Sequence, residues 1–343
     1  MSQWDSMGSN LVFIFSPPRS GSTMLQLMLE SHSLVAGAPE PHVMVPLRYT
    51  GYYGQPEKAD YDTINVSLAI REFVDHLPGG EQDYLGACRA YAGTMYQKAM
   101  TGKPASRYLV EKTPSNILEW PFIVKVFPAA RYVVLVRHPL AIFHSFAETF
   151  FGGDYEMARR ESNVLQQYIP RITAFMREAP VEKISVTYEQ LVQEPEPEAR
   201  RILKMLGLDF EPAVVEYGQV GHRPGSMGDA VTAYSQDRPV DTFVDRWSTI
   251  LGKDNQRRRI ARELIAQCHP NDLAVFGYPL DQLFDNLKTA STADRALMSQ
   301  RQAFNFYLLK RRIFIMLRTL ARSAWVIWIL KRIRYYCDVL LRE

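Results

Sequence analysis

The sequence predicts an α/β protein with a parallel sheet of about five strands, helices on both faces of the sheet, a helical insertion and a basic C-terminal helical extension. Short segments of strand-like composition occur near residues 11–15, 107–110, 133–136 and 183–187. Each is followed by a polar turn and then by apolar residues at helical spacing. The segments at 11–15 and 133–136 are apolar throughout, which is typical of strands buried on both faces of a parallel sheet.

The composition is that of a globular protein with a sizeable core, since the chain has 343 residues and 47% of them are hydrophobic. Its three cysteines, Cys88, Cys268 and Cys337, are far apart and form neither a CxxC pair nor a metal-binding cluster with histidine. We therefore expect no disulfide framework, no metal site and a reducing, cytoplasmic location. The first ten residues lack the basic and apolar regions of a secretory signal.

Positive charge is concentrated at the C-terminal end of the chain. Residues 301–343 contain ten Lys and Arg against two Asp and Glu, so the remainder of this +3 chain carries about −5. We predict one domain at residues 1–278, with a tyrosine-rich helical insertion at 48–102, and a basic amphipathic helical tail at 279–343. Because the basic charge is confined to the tail, nucleic acid is not an expected partner.

Within the tail, residues 304–341 alternate apolar clusters with Arg and Lys pairs and include Trp325 and Trp328. No uncharged apolar run there is long enough to span a bilayer. A basic amphipathic helix with tryptophan is suited to a membrane surface, which predicts peripheral membrane association. Docking onto a partner protein and packing against the chain's own body are the alternatives.

An anion-binding loop is predicted directly after the first strand, because residues 16–23 read S-P-P-R-S-G-S-T before helical spacing begins. Strand, small-residue turn and helix aim free backbone N–H groups at an anion. The glycine allows close approach of the backbone, the hydroxyls are donors, and the arginine is a fixed positive charge. These candidate binding residues are Arg19, Ser20, Gly21, Ser22 and Thr23.

A nucleotide-triphosphate loop of the form G-x-x-x-x-G-K-[ST] is the main alternative. Its lysine is missing, because Ser22 stands between Gly21 and Thr23, and the cation comes earlier, at Arg19. No glycine precedes Gly21 by five residues. The loop is therefore predicted to bind a phosphate or sulfate group of a different ligand.

Further polar residues follow other predicted elements. Glu40 and His42 lie in a proline-rich loop after the first helix and are candidate proton acceptors, since a hydroxyl is a poor nucleophile until a base takes its proton. Lys112 ends a strand, which predicts that it lies at the same sheet edge as Arg19. Loop ordering for Glu40 and His42, and a plain surface position for Lys112, are the alternatives without a catalytic role.

These motifs resemble those of sulfotransferases that use 3′-phosphoadenosine 5′-phosphosulfate (PAPS). P-R-S-G-S-T after the first strand is similar to the 5′-phosphosulfate loop of that family. Arg137-His138-Pro139, with Ser145 eight residues beyond the arginine, is similar to its 3′-phosphate motif. The segment around Glu40 resembles the acceptor-side loop of protein-tyrosine sulfotransferases and of sulfotransferase domains in polyketide assembly lines.

The resemblance covers about residues 11–278 and implies a P-loop-like fold. It implies transfer of the sulfuryl group from PAPS to an acceptor hydroxyl or amine, with PAP as product and no metal. Glu40, with help from His42, is implied to take the acceptor's proton. The candidate acceptors are a carbohydrate, a lipid-linked hydroxyl, a carrier-bound chain, a phenol and a peptide tyrosine.

The resemblance also implies how the donor is bound. Arg19 and Lys112, with residues 20–23, are implied to bind the 5′-phosphate and stabilise its charge as it leaves. Arg137 and Ser145 are implied to hold the 3′-phosphate, for which a forked guanidinium is suited.

Two looser resemblances complete the predicted site. Tyr188, in the Y-E-x-L element after a strand, is similar to a tyrosine that lies near the adenine. Arg223 and Gly225 stand in R-P-G-S-M-G-D, which resembles a segment closing over the 3′-phosphate in cytosolic sulfotransferases, with Pro224 in place of a lysine.

Two other functions compete with sulfuryl transfer. A small-molecule kinase using ATP and magnesium would need the missing loop lysine and a metal-binding carboxylate at a strand end. A non-catalytic nucleotide-binding module of the same fold would keep the anion loops without turnover.

Overall fold

The computed structural model of the chain describes residues 5, 7–56, 59–219 and 236–287, and, in the tail, residues 325, 328, 329, 332 and 333. One sheet is formed by β1 (Leu11–Phe15), β2 (Val35–Pro39), β3 (Tyr108–Lys112), β4 (Arg131–Val136) and β5 (Lys183–Thr187). The strand order is β2-β3-β1-β4-β5, and every neighbouring pair is parallel. The predicted parallel sheet of about five strands is confirmed.

Helices connect the strands. In chain order, the α-helices of the described residues are α1 (Ser22–Glu30), α2 (Met44–Arg48), α3 (Thr63–Asp75), α4 (Glu81–Met100), α5 (Trp120–Val126), α6 (Pro139–Phe151), α7 (Tyr155–Glu161), α8 (Val164–Glu178), α9 (Tyr188–Gln193), α10 (Pro195–Leu206), α11 (Arg246–Lys253), α12 (Asn255–Ile265) and α13 (Pro270–Val275). Short 3₁₀ helices span Pro114–Glu119, Pro212–Val214 and Tyr217–Gln219.

The hydrophobic core lies on both faces of the sheet. In β1, Leu11, Phe13 and Phe15 belong to one apolar cluster, whereas Val12 and Ile14 belong to the other. Side chains alternate across a strand, so this apolar run is buried on both sides. Helices pack against both faces, as predicted, and the strand ends are therefore held rigidly relative to one another.

The structure contains a strand where the sequence predicted only a loop. β2 lies at one edge of the sheet and pairs with β3 from Val35 opposite Tyr108 to Pro39 opposite Lys112. Its sequence, VAGAP, is dominated by small residues with weak strand preference. The strand therefore depends on pairing with β3, which comes much later in the chain.

Two predicted helices are interrupted. Apolar spacing over residues 157–176 predicts one helix, but the structure contains α7 and α8, separated at Ser162, whose backbone is extended. The sequence also predicts one helix over residues 116–126. The structure has a 3₁₀ helix followed by α5, because Pro121 lacks an N–H and suits the first turn of a new helix. The glycine- and proline-rich composition of residues 218–250 predicts a long loop, but α11 begins within that range, at Arg246.

Residues 48–102, predicted to be a helical insertion, contain α3 and α4. The packed core continues beyond residue 278 to Leu283, which is 1% exposed, and the division into domain and tail stays a prediction. Among the described residues, each helix is too short or too polar to cross a bilayer.

Candidate active site

Polar segments meet at the carboxyl edge of the sheet. β1 lies between β3 and β4, and β2 lies beyond β3. Because all the strands are parallel, the segments that follow them leave the sheet side by side. Four distant parts of the sequence, beginning at residues 16, 40, 113 and 137, are thereby brought to one edge.

The loop after β1 turns sharply into α1. Arg19 and Gly21 both have left-handed backbone conformations, with φ values of 68° and 87°. The helix then begins at Ser22, and its first N–H groups face back toward the loop. The Ser20 hydroxyl is buried and lacks a hydrogen-bond partner within the described part of the chain. An unpaired buried hydroxyl beside a helix N-terminus fits an anionic ligand.

Gly21 packs directly against Tyr188, which gives a testable prediction. A Cβ added at position 21 would lie 2.5 Å from Tyr188 Cδ2, in addition to the left-handed backbone strain. We expect Gly21→Ala to lower the free energy of unfolding by about 2–4 kcal/mol. Gly207→Ala is the matched control, since Gly207 has φ of 64° but open space around it, and it should cost about 1 kcal/mol. Urea unfolding measures both changes, and an equal loss of unfolding free energy in the two variants would contradict the close contact.

Arg137 joins the two predicted anion loops. Its Nη1 donates to the Arg19 carbonyl oxygen and its Nη2 to the Phe243 carbonyl oxygen, each at 2.9 Å. Arg19 Nε in turn donates to Ser145 Oγ at 3.2 Å. The Arg137 guanidinium also lies over the Tyr188 ring, 4.1 Å from its centroid. The structure therefore brings together four residues that were singled out from three separate motifs.

Arg137 keeps unused hydrogen-bond donors. A guanidinium has five N–H groups, and the two bonds to carbonyl oxygens use two of them. Its Nε is buried without a partner among the described residues. Burial lowers the pKa of Arg137, and the Arg19 charge adds to that effect, yet an arginine stays protonated at neutral pH. A buried cation with free donors is suited to a phosphate group.

Lys112 holds Glu40 next to the start of α1. Its side chain is 1% exposed, and Nζ donates to Glu40 Oε1 at 2.6 Å and to Thr23 Oγ1 at 3.1 Å. His42 lies on the other side of the carboxylate, with Nε2 3.7 Å from Glu40 Oε2. The ammonium, carboxylate and imidazole groups thus form one cluster beside the loop after β1.

Several residues of this cluster were missed by the sequence analysis. Glu111 and Thr113 flank Lys112, and Thr113 Oγ1 accepts a hydrogen bond from the His42 N–H at 3.4 Å. Burial raises the pKa of Tyr168, on α8, to about 12, and the charge of the Glu40 carboxylate adds to this effect. Glu111 could have been found from the sequence, because a glutamate within an otherwise apolar strand is unusual. Tyr168 could not have been found in this way, because it lies on a helix with ordinary apolar spacing.

The remaining predicted residues, Arg223 and Gly225, lie outside the described residues. Among the described residues, Trp247 of α11 stacks on His138, with ring centroids 4.1 Å apart. Glu189 accepts a hydrogen bond from the His138 backbone N–H at 3.0 Å. These contacts fasten α11 and α9 to the turn that follows β4.

His144, beside Ser145, should make the protein sensitive to acid. It is buried against Tyr155, with Nδ1 2.8 Å from the hydroxyl, and burial lowers its pKa to about 3. Below about pH 6.5 the histidine takes up a proton in the unfolded chain but stays neutral in the folded chain. The free energy of unfolding therefore decreases as the pH is lowered. Between pH 7 and 5 the wild type should lose about 2 kcal/mol more than His144→Gln. The exposed His76→Gln is the control, and an unchanged difference between these variants at the two pH values would refute the prediction.

A sequence profile of the sulfotransferase family matches residues 11–212. This span is more than half of the chain and contains all five strands together with Arg19, Lys112 and Arg137. The chain belongs to the sulfotransferase family. The family resemblance seen in the sequence motifs is thereby confirmed.

Individual relatives of this sulfotransferase-family chain are distant. Nodulation protein NoeE of Sinorhizobium fredii is 26% identical over 268 residues, which are 70% of this chain and 60% of NoeE. Protein-tyrosine sulfotransferase 1 of Danio rerio is 27% identical over 258 residues, 72% of this chain and 68% of that protein. The sulfotransferase domain of the Synechococcus PCC 7002 olefin synthase is similar in fold, with a TM-score of 0.50 and 23% identity over 77% of this chain and 98% of that domain.

Proposed function

We propose that the protein transfers a sulfuryl group from PAPS to an acceptor hydroxyl. The observation that carries the proposal is the contact between the two anion loops, in which Arg137 donates to the Arg19 carbonyl and Arg19 donates to Ser145. A donor with phosphate groups on both sides of one adenosine needs two cation sites close enough to be bridged. Adjacent arginines from separate loops meet that requirement.

The residues present fit such a donor. Ser20 Oγ and Arg137 Nε are buried and unpaired among the described residues, so each has a donor to offer a phosphate. The loop after β1, with Arg19 and the N-terminus of α1, would hold the 5′-phosphosulfate, and Arg137 with Ser145 the 3′-phosphate. PAPS, when bound, supplies a sulfuryl group attached to a phosphate leaving group. The described residues hold no cluster of three or more His, Cys, Asp or Glu side chains that could bind a metal.

Glu40 is the proposed base. Lys112 Nζ lies 2.6 Å from Glu40 Oε1 and fixes the orientation of the carboxylate, whose other oxygen is proposed to take the acceptor's proton. His42, whose Nε2 lies 3.7 Å from Glu40 Oε2, is proposed as a second group that could accept the acceptor's proton. Lys112 and Arg19 would offset the negative charge that grows on the leaving 5′-phosphate. In-line transfer then depends mainly on positioning and on charge stabilisation.

The acceptor is proposed as a class only. One relative is a protein-tyrosine sulfotransferase, and a tyrosine phenol is therefore one candidate among hydroxyl acceptors. Carbohydrate, lipid-linked and carrier-bound hydroxyls are the others. A hydrophobic acceptor is favoured by the tryptophan-containing basic tail.

The tail is proposed to bind membrane surfaces, in keeping with a cytoplasmic protein that is peripheral at the membrane. Trp325 and Trp328 are helical and 70% and 54% exposed, and the Arg332 guanidinium lies 4.7 Å from the Trp328 ring centroid. Exposed tryptophan next to arginine is typical of interfacial helices. We expect co-sedimentation with vesicles rich in anionic lipid, and a loss of about tenfold in binding for Trp325→Ala with Trp328→Ala. If the wild type and the double variant bind the vesicles equally well, the tail instead binds a protein partner or packs on the chain's own body.

Donor identity is tested by thermal stability and turnover. We expect PAP to raise the melting temperature more than ATP with magnesium at equal concentration. Incubation with PAPS and a panel of hydroxyl acceptors should then yield products heavier by one SO₃ group in mass spectrometry. Tighter binding of ATP would favour a kinase. PAP binding without turnover on any acceptor would favour a non-catalytic module.

A further inference from the structure

Glu111 is a buried carboxyl group that precedes Lys112, the residue bound to the proposed base Glu40. Glu111 is 1% exposed and follows the apolar residues of β3, one position before Lys112. Its Oε1 accepts from the Thr113 hydroxyl at 2.9 Å and its Oε2 from Asn116 Nδ2 at 2.5 Å. Because side chains alternate along a strand, Glu111 and Thr113 share one face while Lys112 points to the other, toward Glu40.

The Thr113 hydroxyl connects this carboxyl group to the loop that carries Glu40. It donates its proton to Glu111 Oε1 and accepts the His42 backbone N–H at 3.4 Å. His42 has φ of 50°, a left-handed conformation that a histidine adopts only at an energetic cost. Such a conformation persists where surrounding contacts hold it, and the bond to Thr113 is such a contact.

We infer that Glu111 and Thr113 are positioning residues, which hold the loop from residue 40 to residue 43 so that Glu40 and His42 stay beside Lys112. The inference rests on the proposed function. Two consecutive residues at the end of β3 form hydrogen bonds with this loop. Lys112 binds the Glu40 side chain, and Thr113 binds the His42 backbone. Glu111, held in turn by Asn116, keeps the Thr113 hydroxyl turned toward the loop.

Glu111 acts here as a hydrogen-bond acceptor and does not need a charge. Burial raises the pKa of Glu111 to about 8, so the group is largely protonated at neutral pH. Glutamine has the same shape, keeps one acceptor oxygen and avoids the cost of burying a titratable group. A leucine fills the space but removes the acceptor. Substitutions can therefore separate hydrogen bonding from packing.

The test uses pairs of variants in the full-length protein. Thr113→Val and Glu111→Leu should lower kcat for sulfuryl transfer from PAPS by about tenfold, the size of one lost hydrogen bond to a catalytic loop. Thr113→Ser keeps the hydroxyl and Glu111→Gln keeps one oxygen that can accept from it, so kcat of both variants should stay within about threefold of the wild type. PAP affinity should change by less than about twofold in all four, because the donor loops are not touched.

A second measurement does not depend on turnover. The His42 imidazole signal in a proton–carbon NMR spectrum, assigned with His42→Gln, should move in Thr113→Val and stay in place in Thr113→Ser. Wild-type kcat in Thr113→Val, or an equal loss in Thr113→Ser, would overturn the inference, as would a parallel fall in PAP affinity. If the wild type shows no turnover, the proposed function fails, and the NMR comparison alone decides whether Thr113 positions the loop.

Discussion

Replacing Glu40 with glutamine should lower kcat by about 10²- to 10⁴-fold, the usual contribution of a general base. Glutamine still offers an oxygen to Lys112 Nζ, which now lies 2.6 Å from Glu40 Oε1, so the cluster should keep its geometry. What is lost is the capacity to take a proton from the acceptor hydroxyl. PAP affinity should stay within about twofold, since the loss affects only the transition state. Steady-state kinetics with PAPS and isothermal titration with PAP measure the two quantities separately.

Glu198→Gln is the matched control for Glu40→Gln. Glu198 is as well buried as Glu40 and also paired with a cation, Arg201, but it lies on α10, away from the sheet edge. Its substitution should leave kcat unchanged. If Glu40→Gln keeps more than about a third of the wild-type kcat, the base is a different group. His42→Gln, which removes the neighbouring imidazole, would then be the variant expected to lose turnover.

Replacing Arg137 with alanine should abolish the preference for PAP over AMP. The two ligands share the 5′-phosphate, and only PAP carries the 3′-phosphate that Arg137 is proposed to bind. Loss of one or two charged hydrogen bonds predicts PAP binding weaker by about 10- to 100-fold. AMP binding should change by less than about threefold. The ratio of the two dissociation constants, measured by titration, isolates the contact with the 3′-phosphate.

Arg131→Ala is the control, because Arg131 stands at the opposite end of β4 and pairs with Glu182 at 3.1 Å. It should leave the PAP to AMP ratio unchanged. Arg137 also donates to the Arg19 carbonyl, and loss of that bond alone would weaken both ligands equally. If PAP and AMP weaken equally in Arg137→Ala, the residue acts by supporting the loop around Arg19, and the 3′-phosphate is bound elsewhere.

The loops at the ends of β1 and β4 were predictable because their signals are local. An apolar strand, a turn of small and hydroxyl residues and a helix stand in direct succession at residues 11–29, so the chemistry and the backbone geometry coincide in the sequence. Arg137 and Ser145 are likewise separated by a spacing that one strand end and one helix determine. Hydrophobic periodicity placed these residues at strand ends and helix starts, and the resemblance to family motifs then suggested a role for each.

The acceptor side was less predictable because it depends on pairing between distant segments. β2, read as a loop, becomes a strand only through its register with β3. That register sets Pro39 opposite Lys112 and thereby brings Glu40 within 2.6 Å of the lysine. The bond from His42 to Thr113 follows from the same pairing. Nothing local to residues 35–42 encodes these distances.

The amino-acid sequence by itself determined the fold class, the turn between β1 and α1 and the choice of the two arginines as candidates, because strand burial, turn composition and helix spacing are properties of short segments. Only the tertiary structure decided which of these residues touch. Contacts across parallel strands depend on register between segments far apart in the chain, and that register is set by packing of the whole core. The link from Arg19 to Arg137 and the cluster of Lys112, Glu40 and His42 are both of this second kind.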